Sequence, residues 1–212
     1  MNPGGVAMNN AGKLRIRILR AAYYLSLASG MAVLTYAGYV FVDARNYQAR
    51  EQIAFEESRG KNLGQSEGPH SVIEGEVLGE MEVVRLGLKA IVVQGDSSEI
   101  LERAVGHLPG TALPGESGNV ALAGHRDTFF RPLRNIRSGD AITFKTLDGE
   151  FRYQVESAAV VPPSDVSVLK SLGGRTLTLI TCFPFYYVGA APDRFIVRAR
   201  QVEIWPEQVR AR

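Results

Sequence analysis

Thr176-Leu177-Thr178-Leu179-Ile180-Thr181-Cys182-Phe183-Pro184 is the stretch around which the rest of the chain is read. Its β-branched and apolar residues favour a strand. Side chains alternate along a strand, so Leu177, Leu179 and Thr181 share one face, and Thr178, Ile180 and Cys182 the other. Pro184 cannot donate a ladder hydrogen bond, so the strand ends near Cys182. Cys182 is the one cysteine in 212 residues. A thiol at a strand end, opening into a Pro- and Gly-containing loop, is placed like a nucleophile. The competing reading is a buried cysteine with a packing role only.

The totals narrow the classes. Lys and Arg number 24 against 22 Asp and Glu, and the basic residues are not interleaved with aromatics, so no nucleic-acid partner is indicated. One Cys with His70, His107 and His125 cannot form a spaced Cys/His zinc cluster, and no intrachain disulfide is possible. No cofactor and no metal are expected.

The run Ala21–Val42 contains no charge. At helical rise it crosses a hydrocarbon core of about 30 Å. Tyr23, Tyr24, Tyr39 and Phe41 near its ends suit the membrane interface. A cleaved signal peptide is the rival reading, but its apolar region would run only about 7–15 residues. Lys13, Arg15, Arg17 and Arg20 precede the span, whereas Asp43, Arg45, Arg50 and Glu51 nearly balance after it. The positive-inside rule then places residues 1–20 in the cytoplasm, 21–42 in the membrane as a single-pass signal anchor, and the remainder outside. Residues 43–74 read as a charged helical stalk, to about Glu57, followed by a Gly-containing spacer from Ser58. A chain beginning near Ser66 is accordingly expected to retain the whole folded domain. That domain is placed at residues 75–205, with a tail at 206–212.

Strands are expected over Met81–Leu86 and Leu88–Val93 around Gly87, then Asn119–Gly124, Ala141–Leu147, Phe151–Val161, Leu177–Cys182 and Phe195–Val202. A helix is expected from Asp96 to Val105, opened by an Asp96/Glu99 capping box. Gly106 to Gly118 reads as a loop, and Asp148-Gly149 as a hairpin turn. There is no internal repeat. Many short strands with one modest helix indicate an all-β closed barrel or sandwich, and roughly 130 residues suffice for one core.

Three features bear on Cys182. His125 ends the Asn119–Gly124 strand after Gly124, so it projects from a rigid element. It also suits a surface turn. An unpaired thiol outside the cell is itself a candidate reactive group. Arg194 starts the strand after that of Cys182 and offers five donors to an oxyanion, or else is a solvated strand-end arginine. Thr181 is a supporting candidate, or a core-facing threonine. Asp127 could orient His125 as a carboxylate does in triads, although residues so close on one turn rarely face each other. His70 and His107 are assigned no role, and no substrate-binding residues are identified.

Thr178-Leu179-Ile180-Thr181-Cys182, with Arg194 twelve residues on, resembles the Thr-Leu-x-Thr-Cys…Arg signature of sortases. Ala123-Gly124-His125 resembles the segment bearing the sortase histidine. Leu108–Arg134 and Arg194-Phe195-Ile196-Val197 resemble class D sortases in particular. The similarity covers most of Gly75–Val202. It implies an eight-stranded barrel and a cysteine transpeptidase with Cys182, His125 and Arg194 as its catalytic residues. Such an enzyme cuts a Leu-Pro-x-Thr-Gly or Leu-Pro-x-Thr-Ala signal after Thr and joins the acyl group to an amine. Implied partners are surface proteins or pilins bearing that signal, and an acceptor amine on a peptidoglycan precursor or pilin lysine. Leu108-Pro109-Gly110-Thr111-Ala112 itself looks like such a signal, but it runs into Leu113-Pro114-Gly115-Glu116 and reads as a loop near the active site.

Two other functions compete. A hydrolytic cysteine peptidase shares the nucleophile and base. A membrane-anchored binding module would carry an incidental cysteine. An L,D-transpeptidase fits less well, because Thr181 precedes Cys182 and Pro184-Phe185 follow it.

Overall fold

The computed structural model describes residues 10–61, 72–171, 173–187 and 189–202. Helix α1 spans Asn10–Lys61. The chain divides after Asp43 into two compact units. In the first unit the helix exposes Leu25, Leu34, Tyr36 and Tyr39 on all sides. Apolar residues all round a helix suit a membrane span or a buried core helix rather than the surface of a globular fold. This helix is long and apolar enough to cross a membrane, a test that a signal sequence also passes.

In the second unit eight strands close into a barrel. They are β1 (Val77–Val83), β2 (Leu88–Gln94), β3 (Val105–His107), β4 (Gly118–Ala123), β5 (Ala141–Lys145), β6 (Glu150–Val161), β7 (Arg175–Phe183) and β8 (Asp193–Val202), hydrogen-bonded in the order β1-β2-β3-β4-β7-β8-β6-β5. The closing pair is β1 with β5. The sandwich alternative is thereby set aside, since closure leaves no sheet edge to cover. Alternate residues point inward, and Met81, Leu122, Phe144, Tyr153, Leu177, Leu179 and Val197 fill the interior.

Four local expectations change. Val84–Leu86 leave β1 as a 3₁₀ turn that ends on Gly87 at φ 61°, a left-handed conformation open to glycine. Helix α2 is only Ser98–Arg103, with Ser97 rather than Asp96 at its N-cap and no side-chain cap. It stops early because Ala104 turns extended and Val105–His107 pair with both β2 and β4. The missing strand, β3, is therefore drawn from what reads as a helix end and a loop. The sorting-signal-like Leu108–Ala112 is also relocated. It is a turn tied to β4 through Leu108 N–H to Ala121 O (2.9 Å) and Ala112 N–H to Asn119 O (3.1 Å), which carries it toward the start of β4, away from the His125 end.

The part of α1 from Ala44 packs against the barrel. Phe55 is 5% exposed and lies with Ile91, Val93 and Ala104, flanked by Tyr47 and Ile100. Gln48 Oε1 accepts from Ile91 N–H (2.9 Å) and its Nε2 donates to Arg103 O (2.8 Å). Ile91 precedes the short β2–β3 ladder, so this amide supplies the partner that β3 does not reach. The segment expected to stand off as a stalk is thus partly docked, and the helix outlasts Ser58. Residues 62–71 of the expected spacer, residues 1–9 and the 206–212 tail lie outside the described residues.

Candidate active site

β7 and β8 are antiparallel with Cys182 opposite Arg194, Ile180 opposite Ile196 and Thr178 opposite Arg198. Paired residues point to the same side of a sheet, so Cys182 and Arg194 share the face opposite the core residues Leu177 and Leu179. Cys182 is a free thiol, half-buried. Arg194 is also half-buried, and its Nη1 donates to Asp193 O (3.1 Å) and Ala191 O (3.5 Å).

β4 runs parallel to β7 on the other side. The last pair of its ladder is Ala123 with Ile180. His125 and Cys182 each lie two residues beyond that pair on neighbouring strand ends. The register is carried past the ladder by Gly124 N–H to Ile180 O (3.2 Å) and by Thr181 Oγ1 donating to Gly124 O (2.7 Å). Thr181 is therefore buried, as a core-facing residue is, and also holds the backbone just before His125. Gly124 is required sterically, since a Cβ there would lie 2.9 Å from the Phe130 ring. His125 itself is exposed, and its carbonyl accepts from Phe130 N–H (3.0 Å), which closes the turn that carries it. All three sequence-chosen side chains are thus brought to one end of the barrel on three adjacent strands, β4, β7 and β8.

Asp127 is exposed, and no hydrogen bond or ion pair joins it to His125. His107 pairs with Leu122 on β4, and no hydrogen bond joins it to Cys182, His125 or Arg194. It is 1% exposed, with Nε2 donating to Ala112 O (2.9 Å) and Nδ1 2.7 Å from the Gln94 amide. Burial lowers its pKa from the ordinary 6.5. It is a packed polar residue beneath the Leu108–Ala112 turn.

Sequence reasoning missed the residues that join the loops around the cluster. Arg126 Nη2 donates to the carbonyls of Tyr187 (2.8 Å) and Gly189 (3.0 Å), and Arg134 Nη1 to Tyr186 Oη (2.7 Å). Each guanidinium also lies over its tyrosine ring, at 5.9 and 5.5 Å. Phe183, Phe185 and Phe195 contact one another at ring separations of 5.3–6.3 Å, and Phe185 and Phe195 pack against the interior cluster at the end of the barrel where β7 stops. No periodicity in the sequence marks such loop-to-loop contacts.

Fold comparisons place this barrel among cysteine transpeptidases. It resembles a Sortase D5 transpeptidase of Clostridium perfringens with a TM-score of 0.61 and 27% identity, over 76% of this chain and 99% of that one. It also resembles sortase E of Streptomyces avermitilis, with a TM-score of 0.54 and 30% identity, over 66% of this chain and 97% of that one. In sequence it is 28% identical to Sortase D of Bacillus subtilis across 83% of this chain and 95% of that protein. It is 32% identical to Sortase SrtE1 of Streptomyces coelicolor across 88% of this chain and 58% of that protein. The Sortase domain family model matches residues 81–202, and the chain belongs to the sortase family.

Proposed function

We propose that the chain is a membrane-anchored extracytoplasmic sortase in which Cys182 is the nucleophile, His125 the acid and base, and Arg194 the oxyanion donor. The observation that carries this is the placement of Cys182 opposite Arg194, with His125 on the neighbouring strand end. The Cys182 thiolate attacks the Thr carbonyl carbon of a Leu-Pro-x-Thr-Gly or Leu-Pro-x-Thr-Ala signal. The carbonyl electrons move to oxygen, where the Arg194 guanidinium holds the charge. Collapse breaks the C–N bond, and the departing Gly or Ala amine takes a proton from the His125 imidazolium. The product is a thioester between Thr and Cys182. Neutral His125 then receives a proton from an incoming amine, which attacks the thioester and expels the thiolate. These steps draw only on side chains of the chain and on its two substrates.

Thr181 supports the site by fixing the Gly124 carbonyl. Residues 1–20 form the cytoplasmic tail, 21–42 the anchor and 75–205 the catalytic domain on the outer side. The substrates are surface proteins or pilins bearing the signal, and the acceptor is an amine of a peptidoglycan precursor or a pilin lysine.

The test is mass spectrometry of the full chain with the two signal peptides, with and without an amine. Expected are a thioester on Cys182 and an amide product with the added amine. Formation of free acid alone, whatever the amine concentration, would show a hydrolase instead. Absence of any adduct with a folded chain would favour the binding module. Protease added to intact spheroplasts is expected to degrade the barrel, and its full protection would overturn the orientation.

A further inference from the structure

The loop between β7 and β8 begins just after Cys182 and returns just before Arg194. Its backbone carbonyls therefore lie within reach of the group that must stay available to the reacting carbonyl. Two arginines hold this loop. Arg194 donates from Nη1 to Ala191 O and Asp193 O. Arg126, the residue after His125, reaches in from the other side and donates from Nη2 to Tyr187 O and Gly189 O. The carbonyls of residues 187, 189 and 191 are thus divided between the two guanidinium groups.

Arg126 is committed to this place. Its guanidinium lies over the Tyr187 ring, and its Nη1 is buried with no hydrogen-bond partner among the described residues. An unmet buried donor is unfavourable, so the bonds to Tyr187 O and Gly189 O must outweigh it for the guanidinium to sit here. Arg134 already tethers the same loop through Tyr186.

We propose that Arg126 is a positioning residue that gathers the Tyr187 and Gly189 carbonyls to itself and so keeps them from occupying Arg194. This inference rests on the reading of Arg194 as the oxyanion donor. Without Arg126, two carbonyls of a loop that already touches Arg194 become competitors for its remaining donors. An oxyanion then meets an arginine that is already engaged.

The experiment is a double-mutant cycle on the full chain, with Arg126→Ala, Arg194→Ala and the pair. It is read by single-turnover acylation with a signal peptide and by the rate of Cys182 alkylation by iodoacetamide at a fixed pH. Arg126→Ala is expected to slow acylation by about 10–10²-fold, the size of effect that misplacing a catalytic group brings. Adding it to Arg194→Ala is expected to cost almost nothing more, because the group it protects is gone. Alkylation at a fixed pH is expected to change in rate in each single variant and not to change further in the pair, since the guanidinium beside the thiol is then displaced or absent. Arg126→Lys, which keeps the charge but loses the planar fork, should fall between wild type and alanine.

Multiplicative rate losses, or an Arg126→Ala chain that is folded and fully active, would overturn the proposal. If Arg126→Ala does not fold, Arg126→Lys and Arg126→Gln take its place in the same cycle and are judged by the same coupling. If wild type forms no acyl-enzyme at all, the proposed function fails. The alkylation cycle then still decides whether Arg126 and Arg194 are coupled.

Discussion

Cys182 and Arg194 face each other across the β7–β8 ladder, one on each strand, on the side of the sheet turned away from the core. The pairing makes their proximity a property of strand register. Neither residue depends on a long loop to bring it to the other. Slipping β8 by one residue would send Arg194 to the interior, so the barrel's own packing guards the pair.

The division of labour follows directly. Cys182→Ala removes the nucleophile, and thioester formation is expected to vanish. His125→Ala loses the carrier of both proton transfers, each worth about 10²–10⁴-fold. Arg194→Ala is expected to cost about 10²–10³-fold, as loss of an oxyanion donor does. Arg194→Lys should be impaired as well, because an ammonium cannot reproduce the fork. Melting temperatures should stay close to that of wild type, since none of the three side chains belongs to the interior cluster. Full activity of Arg194→Ala would sink the mechanism.

Thr181 gives a sharper case because it is buried and near the chemistry at once. Thr181→Val keeps the shape and removes the hydroxyl that donates to Gly124 O. The lost bond is expected to cost about 1 kcal/mol of stability. The acylation rate should fall further than that loss of fold explains, because the backbone before His125 is released. Thr181→Ser should restore most of the rate. If Thr181→Val loses stability but acylates at the wild-type rate in folded protein, the hydroxyl serves packing alone.

His107 sets a pH dependence for the fold. Burial lowers its pKa, so the native state disfavours the proton that the unfolded chain takes up below about pH 6.5. Its contribution to stability is complete above that value. It is lost as pH falls through the window between the unfolded and the lower native pKa. The nearby Glu116 carboxylate opposes the shift without reversing it. Urea midpoints at pH 7.5 and pH 5 are expected to fall more for wild type than for His107→Gln. Equal falls would show that His107 does not titrate in this window.

Alternation along Leu177–Cys182 put Cys182 on the face opposite Leu177 and Leu179 without saying which face is the core, and the Gly124-His125 strand end was visible where an apolar run stops. Register was not readable. Nothing in the local pattern says that β4 lies beside β7, since the two are far apart in sequence and meet only through barrel closure. β3 was hidden because Val105–His107 is too short to show a period and follows a helical pattern. Its extended form comes from ladders on both sides, a tertiary gain that overrides propensity. Arg126 and Arg134 read as ordinary charged loop residues, because their partners are backbone and tyrosine groups from a distant loop.

The helical segment from Ala44 changes what a useful soluble form of the protein should contain. By sequence alone, a chain starting near Ser66 keeps every strand. In the structure that cut also removes Phe55 from Ile91, Val93 and Ala104, and takes the Gln48 amide away from Ile91 N–H and Arg103 O. Burying a phenylalanine contributes about 1.5–3 kcal/mol, and each lost hydrogen bond about 1 kcal/mol. In a domain of this size a change of 1 kcal/mol moves Tm by about 2–4 °C. A chain starting at Ala44 is therefore expected to melt several degrees above one starting at Ser66, with Phe55→Ala in the longer chain falling between them. The Ser66 form should also show more surface apolar area by dye binding, because Ile91 and Val93 lose their cover. Both forms should acylate a signal peptide at similar rates while folded, since Cys182, His125 and Arg194 are carried by strands that the cut leaves intact. Equal melting temperatures for the two forms would mean that the Phe55 contact contributes nothing to the stability of the barrel.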